Sequence, residues 1–181
     1  IYNLKFGEEI PESLFSAGIH PDSIVENMDE HFLWLKEISK NKNCAAIGEC
    51  GLDGLIQVDE KLQEEVFEKQ IFLANEIQKP LIIHCVRRFS QLIPFRKKAK
   101  VPMIVHGFNK RKTIGDELLR HGFHLSFGKS ILSNVNLQDF FSQIPLDKIF
   151  LETDAADVSI QEIYQKAAAL RNLETEELTQ I

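Results

Sequence analysis

The sequence is short of the features that would mark a disulfide-built or membrane protein. Its three cysteines, Cys44, Cys50 and Cys85, are an odd number with no close-spaced pair. That argues against a disulfide framework and for a reducing compartment. No apolar run approaches the roughly 20 residues of a membrane span, and the residues from Ile1 onward do not read as a signal peptide. The expected location is cytoplasmic. Positive charge is also scarce: 21 Lys and Arg stand against 27 Asp and Glu, for a net charge of −6. Such a chain has no overall attraction to nucleic acid or to an anionic membrane. A nucleic-acid substrate would have to be held by local Lys or Arg or by metal ions. Trp (1) and Tyr (2) are few while Phe (13) is abundant, which reads as core packing and leaves function open.

What is present is enough for one domain. The 181 residues are 44% hydrophobic, and no linker, low-complexity tract or internal repeat interrupts them, so residues 1–181 are expected to form a single domain. The first residues start inside an apolar pattern, and the last helix stops on Ile181 without a cap. Both ends are therefore expected to be truncated. Seven strand candidates alternate with helices, among them Leu14–His20, Ala45–Leu52, Pro80–Val86, Pro102–Phe108, His124–Phe127 and Ile149–Ala155. That alternation predicts parallel α/β architecture. A helix is expected to follow Pro21, capped by Asp22 or Ser23, with Val25, Met28, Phe32, Leu35 and Ser39 on one face. The longest helix is expected over Val58–Gln78, with Leu62, Val66, Leu73 and Ile77 as its apolar stripe. Ser159 and Glu162 have capping-box spacing at the start of the last full helix.

One stretch organises the rest. Ala45–Asp53 is a short apolar run that carries a carboxylate, Glu49, between Gly48 and Gly51. A strand made for burial holds a carboxylate only when something pairs with it. Later strands do the same with His84, His106 and Asp154, each near the C-terminal end of its strand, and His20 repeats the pattern earlier. Strand ends that must converge on one point favour a closed barrel over an open sheet. The fold class predicted is therefore an α/β, TIM-type (β/α) barrel, with its first strand lacking from this chain.

Glu49, His84, His106 and Asp154 form a set of nitrogen and oxygen donors that suits Zn, Mn or Mg. Any one of these histidines alone is more often a hydrogen-bonded core residue. Four such groups at equivalent strand positions reverse that preference. Glu152, on the same face as Asp154, either orients a ligand or is a paired buried carboxylate. His20 either binds a substrate phosphate or ends its strand. Arg87 and Arg88 either contact an anionic substrate or are solvated loop charges. Asp53 is a loop cap or an outer group of the site, His31 and His121 are expected at the surface, and Cys50 and Cys85 are expected to be small core residues.

Five strings carry a resemblance: Gly18-Ile-His-Pro21, Ala46-Ile-Gly-Glu-Cys-Gly-Leu-Asp53, Pro80-Leu-Ile-Ile-His-Cys85, Val105-His-Gly-Phe108 and Leu151-Glu-Thr-Asp-Ala155. In order and spacing they resemble the successive motifs of the TatD family of metal-dependent hydrolases and deoxyribonucleases. The resemblance implies an amidohydrolase-superfamily barrel with one or two divalent metals. It implies that Glu49 bridges them, that His84 and His106 bind one, and that Asp154 is a ligand and the proton acceptor for the attacking water. His20 would position the scissile phosphate. The implied activity is phosphodiester hydrolysis, in its narrower form a 3′–5′ exonuclease on DNA. The substrate is then DNA or a small phosphoester, with no membrane and no obligate protein partner. Departures from the family pattern are the lacking first strand with its His-x-His, Gly107 in place of a frequent Cys, Ala156 in place of a Pro, and a short segment from Asp157 to Ser159. The short segment and the acidic charge favour an alternative, an amidohydrolase-type enzyme acting on a small molecule. A third reading is a metal-binding barrel without turnover.

Overall fold

The strands form where short β-branched and aromatic runs are flanked by turn residues. In the computed structural model, which describes residues 2–180, they are β1 (Tyr2–Leu4), β2 (Phe15–Ala17), β3 (Cys44–Asp53), β4 (Leu81–Val86), β5 (Met103–Val105), β6 (His124–Phe127) and β7 (Ile149–Leu151). The helices are α1 (Asp29–Ile38), α2 (Glu60–Ile77), α3 (Phe89–Arg96), α4 (Lys112–Arg120), α5 (Val135–Phe141), α6 (Ile160–Arg171) and α7 (Thr175–Leu178). The expected strand start at Ile1 and helix end at Ile181 lie outside the described residues. Among the described residues no helix is long and apolar enough to cross a membrane.

The chain divides into two compact units, residues 1–104 and 105–181. In the first, β1 pairs with β2, β2 with β3 and β3 with β4, all parallel. Phe15, Leu35, Ile47, Phe67, Ile71, Leu81 and Ile83 are its fully buried centre. In the second, β6 and β7 pair in parallel, and the abundant phenylalanines find their place. Phe108 packs on Phe127 (5.7 Å between ring centroids) and Phe140 (5.8 Å), and Phe127 meets Phe141 edge-on at 5.1 Å. Edge-to-face pairs of this kind add about 0.5–1.5 kcal/mol beyond area burial.

Three expectations are corrected. The helix expected from Pro21 is a 3₁₀ turn, Pro21–Ser23, and α1 begins only at Asp29. Side chains there bond locally and compete with the helix: Ser23 Oγ donates to Asp22, and Asn27 Oδ1 accepts the Asp29 N–H. Val25 is consequently half exposed. In α2, the buried face is Gln63, Val66, Phe67, Gln70, Ile71 and Ala74, and Leu62, Leu73 and Ile77 flank it half-buried. Two buried glutamines were hidden by a pattern that counts only apolar residues. Finally, β2, β5 and β7 stop short of His20, His106 and Asp154, which sit on the loops that follow. The capping box of α6 is as expected, with Ser159 Oγ accepting the Glu162 N–H and Glu162 accepting the Ser159 N–H.

Candidate metal centre

Glu49 sits where β3 loses its regular register. Pairing with β4 shifts between Ile47 and Cys50, and the Gly48–Glu49 peptide is cis. With the register shifted there, simple alternation along this strand does not decide which way Glu49 faces. The two glycines are demanded by close packing. A Cβ on Gly48 would lie 2.4 Å from the Ile82 carbonyl oxygen, and one on Gly51 would lie 2.0 Å from that of His84. Their φ values, +145° and +142°, also exclude L side chains. The Glu49 N–H donates to Asn3 Oδ1 at 3.0 Å, so β1 supplies the residue that holds Glu49 in place.

Around Glu49 the first unit assembles His20 and His84. One donor atom from each of these three residues lies within 4.8 Å of the others. The two imidazoles touch edge-on, with ring centroids 4.3 Å apart. Each is backed by a carboxylate. His84 Nε2 lies 2.9 Å from Asp53 Oδ2, and Asp53 is only 8% exposed. His20 Nδ1 lies 2.7 Å from Asp22 Oδ1. The Asp22 N–H also points at this nitrogen, at 3.2 Å. One nitrogen cannot both donate and accept, and the shorter, charge-assisted contact fixes Nδ1–H as the donor. Asp22 is pushed up by partial burial, but bonds from Ser23 and His20 outweigh this and hold its carboxyl below the usual range.

These pairs fit a divalent ion. A metal-binding histidine characteristically donates its second ring N–H to a carboxylate, which orients the ring and fixes the tautomer. Imidazole and carboxylate donors suit Zn or Mn. Glu49 and His84 offer such donors within 4.8 Å of each other, and His20 brings a third polar group within the same distance of both.

Asp53 also accepts the Leu55 N–H at 2.8 Å, so it is both a turn cap and the partner of His84. Two glutamines of α2 clamp the backbone that carries the site. Gln70 accepts the Ile19 N–H (2.7 Å) and donates to the Ile19 carbonyl (3.0 Å). Gln63 does the same for Asp53 (2.8 and 3.1 Å). Sequence reasoning missed both; their one signal is a seven-residue spacing that puts two polar residues on an apolar helix face. Beside the donors lies a cavity of about 330 Å³, which His20 and Glu49 line together with His31. His31 is thus half-buried against the cavity, and not at the surface as the sequence predicts.

His106 and Asp154 belong to the second unit. There Glu152 gathers three neighbours. Its Oε1 accepts the Gly107 N–H at 2.5 Å and lies 3.8 Å from His106 Nδ1, and its Oε2 accepts from Ser126 Oγ. Burial pushes the Glu152 carboxyl up, but His106, Ser126 and the Gly107 N–H together bring it below the usual carboxylate range. Gly107 has φ +59°, a left-handed conformation that favours glycine over the frequent Cys. Asp154 and Ala155 are both left-handed too, on an exposed turn closed by the Ala156 N–H to the Thr153 carbonyl. A Cβ on Gly107 would lie 3.8 Å from Asp154 Oδ2.

Arg87 is exposed and left-handed (φ +57°) just after β4. Arg88 is an ion-pair partner of Glu60, in the first turn of α2. The three cysteines are buried and form no disulfide among the described residues, and burial pushes the Cys50 thiol far up, which suits a core residue and not a nucleophile.

The motifs and geometry converge with what similar proteins show. The chain is 32% identical over 145 residues to an uncharacterized metal-dependent hydrolase of Bacillus subtilis, covering 77% of this chain and 57% of that protein. A 3′–5′ ssDNA/RNA exonuclease TatD of Musicola paradisiaca is 28% identical over 178 residues, covering 93% and 67%. The crystal structure of the TatD homolog YJJV of Escherichia coli matches with a TM-score of 0.76 at 24% identity, covering 92% of this chain and 73% of that one. A TatD family hydrolase of Entamoeba histolytica gives 0.75 at 19% identity, covering 92% and 71%. These likenesses give the fold class, TIM-type α/β, as the strand pattern predicts. The chain spans 57–62% of the length of three metal-dependent hydrolases that it matches. The family model described as TatD related DNase matches residues 2–181, and the chain belongs to that family of metal-dependent hydrolases.

Proposed function

We propose that this chain, acting as one cytoplasmic hydrolase domain over residues 1–181, cleaves phosphodiester bonds of single-stranded DNA with one or two divalent ions. The observation that carries the reading is the His20–Glu49–His84 cluster, in which both imidazoles are backed by carboxylates. In this reading Glu49 and His84 are metal ligands, and His106 and Asp154 keep the ligand roles that their motifs imply. When bound, such an ion lowers the pKa of water toward neutrality and stabilises negative charge on phosphate oxygens.

The chain's own residues supply the rest. Asp53 holds the His84 ring with Nε2–H engaged, so that Nδ1 carries the lone pair. Asn3 fixes the backbone at Glu49. His20, with Nδ1–H held by Asp22, presents Nε2 to the cavity side of the site and positions the scissile phosphate. Asp154, on an exposed turn, takes the proton from the attacking water. Arg87, exposed after β4, contacts the substrate's phosphates and offsets the chain's net negative charge.

Two measurements test this. Elemental analysis of the purified protein is expected to find Zn, Mn or Mg, and Glu49→Gln is expected to lose most of it. A labelled single-stranded oligonucleotide is expected to be shortened by wild type with added Mn or Mg, and not by Asp154→Ala. Equal inertness of both proteins with Mn and with Mg would refute the nuclease reading.

A further inference from the structure

We infer that the cavity beside His20 and Glu49 contains a base-stacking subsite built on Phe6, which holds the nucleobase next to the scissile phosphate. This rests on the phosphodiesterase reading and specifies how its substrate is gripped. The cavity, about 330 Å³, is lined by His20 and Glu49 together with Asn3, Lys5, Phe6 and His31. Its volume lies at the lower end of small-ligand pockets, roughly 300–1,000 Å³.

A singly exposed aromatic ring needs no explanation. Phe6 is different because the ring is built into a stack. One side rests on the His31 imidazole, with centroids 4.2 Å apart and planes 28° from parallel. Trp34 meets it edge-on at 5.6 Å. The Phe6 side chain nevertheless stays 45% exposed. His31 Nδ1 is buried with no hydrogen-bond partner among the described residues, and the ring's stacking on Phe6 is the contact that faces the cavity residues. The turn that carries Phe6 is pinned as well. Tyr2 Oη and the Lys5 N–H both donate to Glu8 Oε2 at 2.9 Å, and the Glu8 N–H donates to the Lys5 carbonyl. A rigid ring supported from behind loses little freedom when a planar group lies on it.

The chemistry on either side selects the planar group. Lys5 brings a cation to the cavity wall, which a chain of net charge −6 needs if it is to hold a phosphodiester. Imidazole and carboxylate donors, from His20 and Glu49, line the same cavity. A ligand with a phosphate toward His20 and a flat π face toward Phe6 is a nucleotide unit of a single strand. Aromatic stacking of this kind accepts any base, because every base has a π face.

The test compares wild type, Phe6→Ala and Phe6→Trp of the full protein, all confirmed folded by circular dichroism. Each is given a short single-stranded oligonucleotide and its analogue with abasic terminal nucleotides. Wild type is expected to prefer the base-bearing strand by roughly 5- to 100-fold in kcat/KM. Phe6→Ala is expected to bring that ratio close to one, and Phe6→Trp to restore it. In parallel, a phosphorothioate trinucleotide of 2-aminopurine is expected to lose fluorescence on binding wild type and Phe6→Trp, and to keep it with Phe6→Ala. A folded Phe6→Ala that keeps the wild-type ratio and the wild-type quench overturns the subsite. If no variant cleaves either strand, the phosphodiesterase reading fails, and the quench alone decides whether Phe6 stacks a base.

Discussion

Asp53→Asn would replace one carboxylate oxygen with an NH₂ group and test the orientation of His84 directly. Asp53 is 8% exposed and its Oδ2 stands 2.9 Å from His84 Nε2. A carboxylate can only accept, so it fixes Nε2–H and leaves the lone pair on Nδ1. The asparagine has the same shape, and its Oδ1 can still accept the Leu55 N–H, now 2.8 Å away. Its NH₂ then faces His84 Nε2 as a donor. Nε2 must become the acceptor and Nδ1 must take the proton, so the nitrogen needed for a metal is blocked. Replacing a hydrogen bond to a charged group with a neutral one costs about 1 kcal/mol of stability. The effect on metal binding should be larger, since losing an outer partner of a metal-binding histidine typically weakens affinity about 10- to 100-fold. The assay is a competition titration of Zn against a coloured chelator, with urea unfolding of the metal-free proteins run alongside. The expected result is a loss of affinity of at least tenfold with little loss of stability. Affinity within twofold of wild type, in a folded protein, would refute the orientation argument.

Three further outcomes follow from particular contacts. Gln70→Leu removes both bonds to Ile19 and leaves a buried N–H and C=O unpaired, each costing about 1–3 kcal/mol; urea unfolding should show a loss of at least 2 kcal/mol. Gly51→Ala drives a Cβ to 2.0 Å from the His84 carbonyl oxygen at a φ closed to alanine, and should cost about 3 kcal/mol or leave the protein insoluble, read from thermal melts and soluble yield. Bonds from the Lys5 N–H and then from Tyr2 hold the Glu8 carboxyl below its ordinary 4.5, so its hold on the Phe6 turn is present above that value and is lost as pH falls through the lowered one. Fluorescence of the single tryptophan, Trp34, which touches Phe6, should therefore step below pH 4.5 in wild type and not in Glu8→Gln.

Much of this protein was legible in its residues. Alternating apolar runs and turn residues give the strands and helices, because burial and backbone geometry act over a few residues at a time. Glu49, His84, His106 and Asp154 stand out because a polar group in a buried run has to be paired, and that rule needs no coordinates. The capping box at Ser159 was equally readable, being a local hydrogen-bond device. Contacts between residues far apart in sequence could not be read this way. Gln63 and Gln70 carry no role that the apolar stripe of their helix reveals; each is paired with a backbone, that of Asp53 or Ile19, 10 and 51 positions away in the chain. His31 looked like a surface residue until Phe6 lay on its ring. The sequence by itself singled out the polar side chains that interrupt apolar runs, since the cost of burying such groups is written in their identity. Only the tertiary structure decided which carboxylate backs which histidine and which ring faces the cavity, since those pairings depend on distances that long-range packing sets.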